Sequence, residues 1–164
     1  MPIALMLLQA QKVGFEAIPL MYFVYSLSFV VFAIPFGKLS DKIGERKVLI
    51  IGFLAAVIAY LVFIAFNNPV GVVLGFVILG LYSAMTDGVE RALASKLVMH
   101  EELASGQGFL NAAVGISSLL AGVIGGIIWT FYGPVSAFVY GIAMMGVGLL
   151  AFILYNKSYG THSY

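Results

Sequence analysis

The chain has 164 residues, 62% of them hydrophobic and 9% charged, with a formal net charge of +1 and a mean hydropathy of +1.09. A water-soluble domain of this length needs far more polar surface to cover its core, so the composition excludes one and assigns the chain to a bilayer. No cysteine is present, which rules out a disulfide framework and a cysteine-ligated metal site.

Residues 1–8 (MPIALMLL) are apolar but too short to span a membrane, and they run into the polar stretch Gln9–Lys12. They read as the last turns of a preceding helix, so the chain is expected to be the later part of a longer one; a short interfacial segment is the simpler alternative. No cleavable leader is expected, because no basic residue precedes the apolar run. Five long apolar runs follow, at about 17–36, 48–66, 70–86, 109–130 and 135–155. Each approaches or exceeds the roughly 20 residues that carry a helix across the bilayer core at about 1.5 Å per residue. The runs are continuous and do not alternate, which predicts helices and not barrel strands. The expected fold class is an all-α integral membrane protein: five full transmembrane helices plus the end of a sixth (residues 1–12), forming one half-bundle over 1–156 with a polar tail at 157–164.

Basic residues set the orientation. Lys38, Lys42, Arg46 and Lys47 follow the first full helix, Arg91 and Lys96 follow the third, and Lys157 lies in the tail, so five helices put seven of the eight basic residues on one face. That face is expected to be cytoplasmic, with the C-terminus inside and Lys12 on the opposite side. An inner (plasma) membrane of bacterial type is the expected location.

The turn Gly37-Lys38-Leu39-Ser40-Asp41-Lys42-Ile43-Gly44-Glu45-Arg46-Lys47 has a physical reading of its own. Gly37 leaves room for neighbouring helices, and Gly44 is suited to the positive backbone angle that stops a helix. Asp41 is a fixed anion for the positive end of a helix or for a guanidinium such as Arg46. Ordinary turn chemistry accounts for any one of these residues, but not for their full spacing between two spans. That spacing resembles the signature of the major facilitator superfamily, G-x-L-[AS]-D-[RK]-x-G-[RK]-[RK]. Glu45 departs from the pattern, which has a base there, and is expected to pair with Lys47 or Lys42.

A second stretch agrees. Thr86–Val98 (TDGVERALASKLV) closes the third span with Asp87, Glu90 and Arg91, and Gly106–Gly115 (GQGFLNAAVG) opens the fourth; the two are similar to the connection of the tenth and eleventh helices in bacterial members. The resemblance, covering essentially the whole chain, implies the carboxyl-terminal half of a transporter, with helices eight to twelve present and the end of the seventh before them. By the same resemblance, Asp41 latches onto the start of a helix in the opposite half when the cytoplasmic side shuts. Asp87, Glu90 and Arg91 are expected to join it and Arg46 in a charge network, against the plainer reading of solvated surface charges.

The resemblance also implies that the seventh, eighth, tenth and eleventh helices line a solute cavity while the ninth and twelfth are peripheral. The candidate cavity residues are Tyr22, Tyr25, Tyr82 and Asn111, with contact to a neighbouring helix an equal alternative for Asn111. Tyr22 and Tyr25 share a helix face, and Tyr22 suits the interfacial aromatic belt equally well. Serines 26, 28 and 83 are further polar groups on the presumed lining helices, Ser117 and Ser118 are expected to bond back to their own helix, and Tyr60 lies on the presumed peripheral ninth. Gly108, Ala112, Gly115, Ser118, Gly122 and Gly126 form a small-residue stripe expected to admit a close neighbouring helix.

The expected function is transport of a small solute by alternating access, with the bilayer, an unidentified solute and an amino-terminal half in cis or trans as partners, and no nucleic acid. A non-transporting membrane fragment or helix-bundle subunit that needs a partner chain is the alternative. No enzyme activity, cofactor or metal is implied: His100 and His162 have no second histidine at ligand spacing, and no paired carboxylates or serine–histidine set lies at membrane depth. No carboxylate occupies the middle of a span, so these residues argue neither for nor against proton coupling.

Overall fold

The computed structural model describes residues 3–12, 14, 18–66, 68–96 and 103–159. Its helices are α1 (Ile3–Lys12), α2 (Ile18–Ile43), α3 (Glu45–Ala65), α4 (Pro69–Lys96) and α5 (Leu103–Tyr159). His100 and His162, considered as metal ligands, lie outside the described residues, as do Ala17 and Val98. In hydrocarbon, every backbone amide needs an internal partner, and a long apolar run meets that demand by staying helical throughout.

Four of these helices are long and apolar enough to cross a membrane, where five spans were expected. The difference lies in α5. At 57 residues it is more than twice as long as a bilayer core is thick, and it is helical on both sides of Gly133, whose angles (φ 83°, ψ 174°) are not. Pro134 follows at once, where a ring that fixes φ suits the first residue of a helix. Gly133 thus divides α5 into a first arm, 103–132, and a second arm, 134–159. The expected FYGP turn is this one-residue break.

The joint between α2 and α3 is just as short. Gly44 (φ 93°, ψ 141°) occupies a backbone region closed to residues with a side chain, and its N–H donates to the Ser40 carbonyl at 2.9 Å. Residues 37–43, expected to lie in a turn, are therefore the last helical turns of α2. Helix α4 likewise runs to Lys96, ten residues past the expected end at 86. Its start is capped: Asn68 Oδ1 accepts from the Gly71 N–H at 2.8 Å, and Pro69 fills the first helical position.

Helix α4 is the centre of the bundle, packed between α2 and α3. Over half of its most apolar stretch is buried, against 11% for α2 and 17% for α5. Toward the Gly133 end, Phe63 stacks on Phe138 (5.4 Å, 5°) and meets Phe76 edge-on (5.6 Å, 87°), with Met6, Met21 and Leu79 filling the surround. This stacked and edge-to-face packing ties α3, α4 and the second arm of α5 together beyond what area burial alone gives. A smaller cluster of Val48, Leu49, Met85 and Val89 closes the Gly44 end, where Phe53 meets Phe152 edge-on at 6.4 Å.

The first arm of α5 is different: every residue from Asn111 to Leu120 is exposed. A Cβ placed at Gly108, Gly115 or Gly126 would meet no atom within 4 Å. Among the described residues, Gly108, Gly115 and Gly126 of the small-residue stripe therefore meet no close neighbour. A close approach between two helices lies elsewhere, at Gly80 of α4.

Candidate functional site

Helices α2 and α4 cross at Gly80. A Cβ there would lie 2.5 Å from Ser28 Cβ and 2.6 Å from the Tyr25 carbonyl oxygen, so only a glycine lets the two backbones come this close. One turn along α4, Ser83 is buried and shares a 2.7 Å hydrogen bond with the Tyr25 hydroxyl, either oxygen donating. Thr86, a turn further on, donates back to the Tyr82 carbonyl at 2.9 Å.

These residues form one wall of a cavity of about 250 Å³. Tyr25, Tyr82 and Ser83 line it with Tyr60 of α3 and Ser118 of α5; Met6 and Leu79 close its apolar side. Among the described residues, no charged side chain lines it. The wall offers hydroxyl groups and aromatic faces, which suit orientation of a solute through hydrogen bonds and ring contacts.

The candidate cavity residues thus separate. Tyr25 and Tyr82 meet at the cavity. Tyr22 packs its ring against Tyr25 (centroids 5.9 Å apart) but is 52% exposed, outside the lining. Asn111 is exposed on the unpartnered face of α5. Tyr60 and Ser118 were not among the candidates. Tyr60 is almost wholly buried and was assigned to a peripheral helix, yet its side of α3 turns toward α2 and α4. No periodicity in the short run of α3 signals this, because the helix is apolar on all sides. Ser118, expected to bond to its own helix, faces the cavity instead.

The signature residues lie at the Gly44 end. Asp41 and the buried Ser40 line a second cavity, of about 280 Å³, between α2 and α4. Its walls are small: Ala33 and Gly37 on one helix, Ala84, Gly88 and Ala92 on the other. A Cβ at Gly37 would meet nothing within 4 Å, so this glycine borders open space and holds no helix close. Arg46 and Lys47 occupy the first turn of α3. On α4, Arg91 acts favourably on the Asp87 carboxylate one turn before it; Glu90 is near enough to Asp87 for their charges to oppose each other. Asp41 faces this segment across the cavity. The segment is tied to α5 through Gln107, whose amide donates to the Arg91 carbonyl (3.0 Å) and to Ser95 Oγ (2.8 Å). Among the described residues no group of three His, Asp or Glu side chains gathers as a metal site would require.

A model of the Major Facilitator Superfamily matches residues 1–163. The chain belongs to this superfamily. It is 36% identical over 135 residues to an uncharacterized MFS-type transporter of Methanocaldococcus jannaschii, covering 81% of this chain and 34% of that one. It is 34% identical over 138 residues to the inner membrane transport protein YajR of Escherichia coli, covering 82% and 30%. Multidrug resistance protein D of the same bacterium is 26% identical over 108 residues, covering 66% and 27%. The chain therefore spans about a third of the length of these relatives. No solved structure matches. Membership makes this major facilitator chain an integral membrane protein, and its apolar helices have the lipid bilayer as their surroundings.

Proposed function

We propose that this major facilitator chain forms the carboxyl-terminal half of a secondary transporter that moves a small solute by alternating access. In this reading α2, α3, α4 and the two arms of α5 are five spans, and α1 ends a sixth. The basic Gly44 end and the C-terminus face the cytoplasm, and the membrane is the inner membrane of a bacterial-type cell. The amino-terminal half is supplied in cis or in trans.

The observation that carries the reading is the uncharged, hydroxyl-lined cavity where Tyr25, Tyr82 and Ser83 meet beside an exposed face of α5. Polar groups at this depth are costly in lipid and favourable against a solute, water or protein. The cavity lined by Gly37 and Asp41 supports a gate at the other end, to which Gly44, Arg46 and Lys47 at the start of α3 and Asp87, Glu90 and Arg91 on α4 contribute charge and shape. Multidrug resistance protein D among the relatives makes drugs the first solute panel to test. Access to the cavity from each side, measured in the whole transporter with Asp41→Asn, tests the gate. Loss of closure on the cytoplasmic side is expected, and unchanged access on both sides removes the proposal.

The second reading is a helix-bundle subunit that needs a partner chain without itself transporting. The exposed stretch from Asn111 to Leu120, with polar Asn111, Ser117 and Ser118 on it, favours a protein neighbour there. Co-purification with a partner, together with absence of transport by the pair, would select this reading over the first.

A further inference from the structure

A third cavity, of about 420 Å³, opens at the Gly133 end, one helical turn along α1 and α3 from the cavity at Tyr25, and shares no lining residue with it or with the cavity at Asp41. Its floor is apolar, built from Phe63, Ile64 and Phe138; its polar wall is Gln9, which is 6% exposed, and Lys12 stands at its mouth. The Lys12 ammonium lies 5.1 Å from the centroid of the Trp129 ring, close enough for the ring's electron-rich face to hold the cation in place. Among the described residues, none of the side chains lining the cavity is acidic.

The position matters as much as the composition. The cavity sits where α3 ends and where α5 breaks at Gly133, that is, at the ends of the spans. Lysine and tryptophan are the residues that favour this interfacial depth, level with lipid head groups. A lysine acting only as an anchor extends its ammonium toward water. Lys12 is exposed as an anchor would be, but its ammonium is also held by the Trp129 ring and lines a pocket that has an apolar floor. One held cation above an apolar recess, at head-group level, is complementary to an amphiphile with an anionic head.

We propose that Lys12, Gln9 and the floor formed by Phe63, Ile64 and Phe138 make a binding site for an anionic phospholipid of the adjacent leaflet. The phosphodiester rests on Lys12, the glycerol region enters beside Gln9, and the acyl chains run along the apolar surface beyond Ile64. The site ties the end of α1 to the break in α5 through a lipid, and it does not depend on the transport reading.

Native mass spectrometry of the purified chain in detergent tests this, using phosphatidylglycerol, phosphatidylcholine of the same chains and, as a chainless anion, sn-glycerol 3-phosphate. Lys12→Ala is expected to lower occupancy by the tightest-bound phosphatidylglycerol about five- to tenfold, with Lys12→Arg restoring it and Lys38→Ala, at the opposite end, leaving it unchanged. Ile64→Trp fills the floor without touching a charge and is expected to lower the same occupancy; it decides the matter if Lys12→Ala does not stay folded by circular dichroism. Equal retention of phosphatidylglycerol and phosphatidylcholine overturns the proposal, as does occupancy unaffected by either Lys12→Ala or Ile64→Trp. Binding of glycerol phosphate as tight as that of the lipid overturns it too, because the site would then read a free anion.

Discussion

Tyr25 and Ser83 join α2 to α4 by a 2.7 Å hydrogen bond between their hydroxyls, one helical turn from the point at Gly80 where the two helices come closest. The bond therefore sits beside a close approach of the two backbones and also on the wall of the cavity proposed to hold a solute. Breaking it changes packing and recognition together, and the two effects separate only by measuring both. Ser83→Ala leaves the Tyr25 hydroxyl without this partner, while Tyr25→Phe removes the hydroxyl. Each is expected to cost about 1 kcal/mol. The double variant should cost less than the sum, measured as thermal unfolding in detergent over a double-mutant cycle.

Gly80→Ala is expected to be far more damaging than its small volume suggests. The new Cβ meets Ser28 Cβ and the Tyr25 carbonyl at 2.5 and 2.6 Å, and backbone cannot yield as a flexible side chain does. A loss of about 1–3 kcal/mol follows from overpacking. Gly115→Ala, facing open space within this chain, is expected to leave the unfolding temperature of the isolated chain unchanged or slightly raised.

The two glycines of the signature should behave oppositely. Gly44, at φ 93°, admits alanine only with strain of about 1–3 kcal/mol. Gly37 is helical with free space at its Cβ, so Gly37→Ala is expected to hold or raise stability by up to about 1 kcal/mol. Unfolding curves of the two variants, side by side, check the contrast.

At the other end of the bundle, Asn68→Ala removes the side-chain acceptor of the Gly71 N–H. A loss of about 1 kcal/mol is expected from the missing cap. Asn68→Asp should retain most of the stability, because a carboxylate caps the same N–H and favours the positive helix start. A thermal melt that ranks alanine level with aspartate would contradict the capping role.

The elements were legible in the sequence for a physical reason: each long apolar run has one way to satisfy its backbone in lipid. The ends were not. Hydropathy measures the thickness of hydrocarbon and says nothing about how far a helix continues beyond it, so residues 37–43 and 87–96 were read as connections and are helix. Gly44 was readable as a stop because a glycine between two spans can take the positive backbone angle that ends a helix. The break at Gly133 was readable as a turn, but not as one so short that the two arms nearly run together.

The cavity was legible only on helices whose polar residues were few and deep, as with Tyr25 and Tyr82. Tyr60 and Ser118 reach the same cavity from helices whose orientation depends on packing, notably on Phe63 against Phe138, which no local pattern reveals. The exposure of Asn111 likewise reflects the contacts that its face of α5 does not make within the chain.

The central claim is that the cavity between Tyr25, Tyr82, Ser83 and Ser118 belongs to a solute path open to each side of the membrane in turn. The chain contains no cysteine, so Ser118→Cys introduces a single thiol on the cavity wall once any cysteine in the other half is replaced by serine. Labelling by a membrane-impermeant maleimide, in right-side-out and inside-out vesicles carrying the complete transporter, measures access directly. Labelling from both sides is predicted, with Asp41→Asn shifting the balance toward the cytoplasmic side. A thiol reached from one side only, or from neither, would contradict the account.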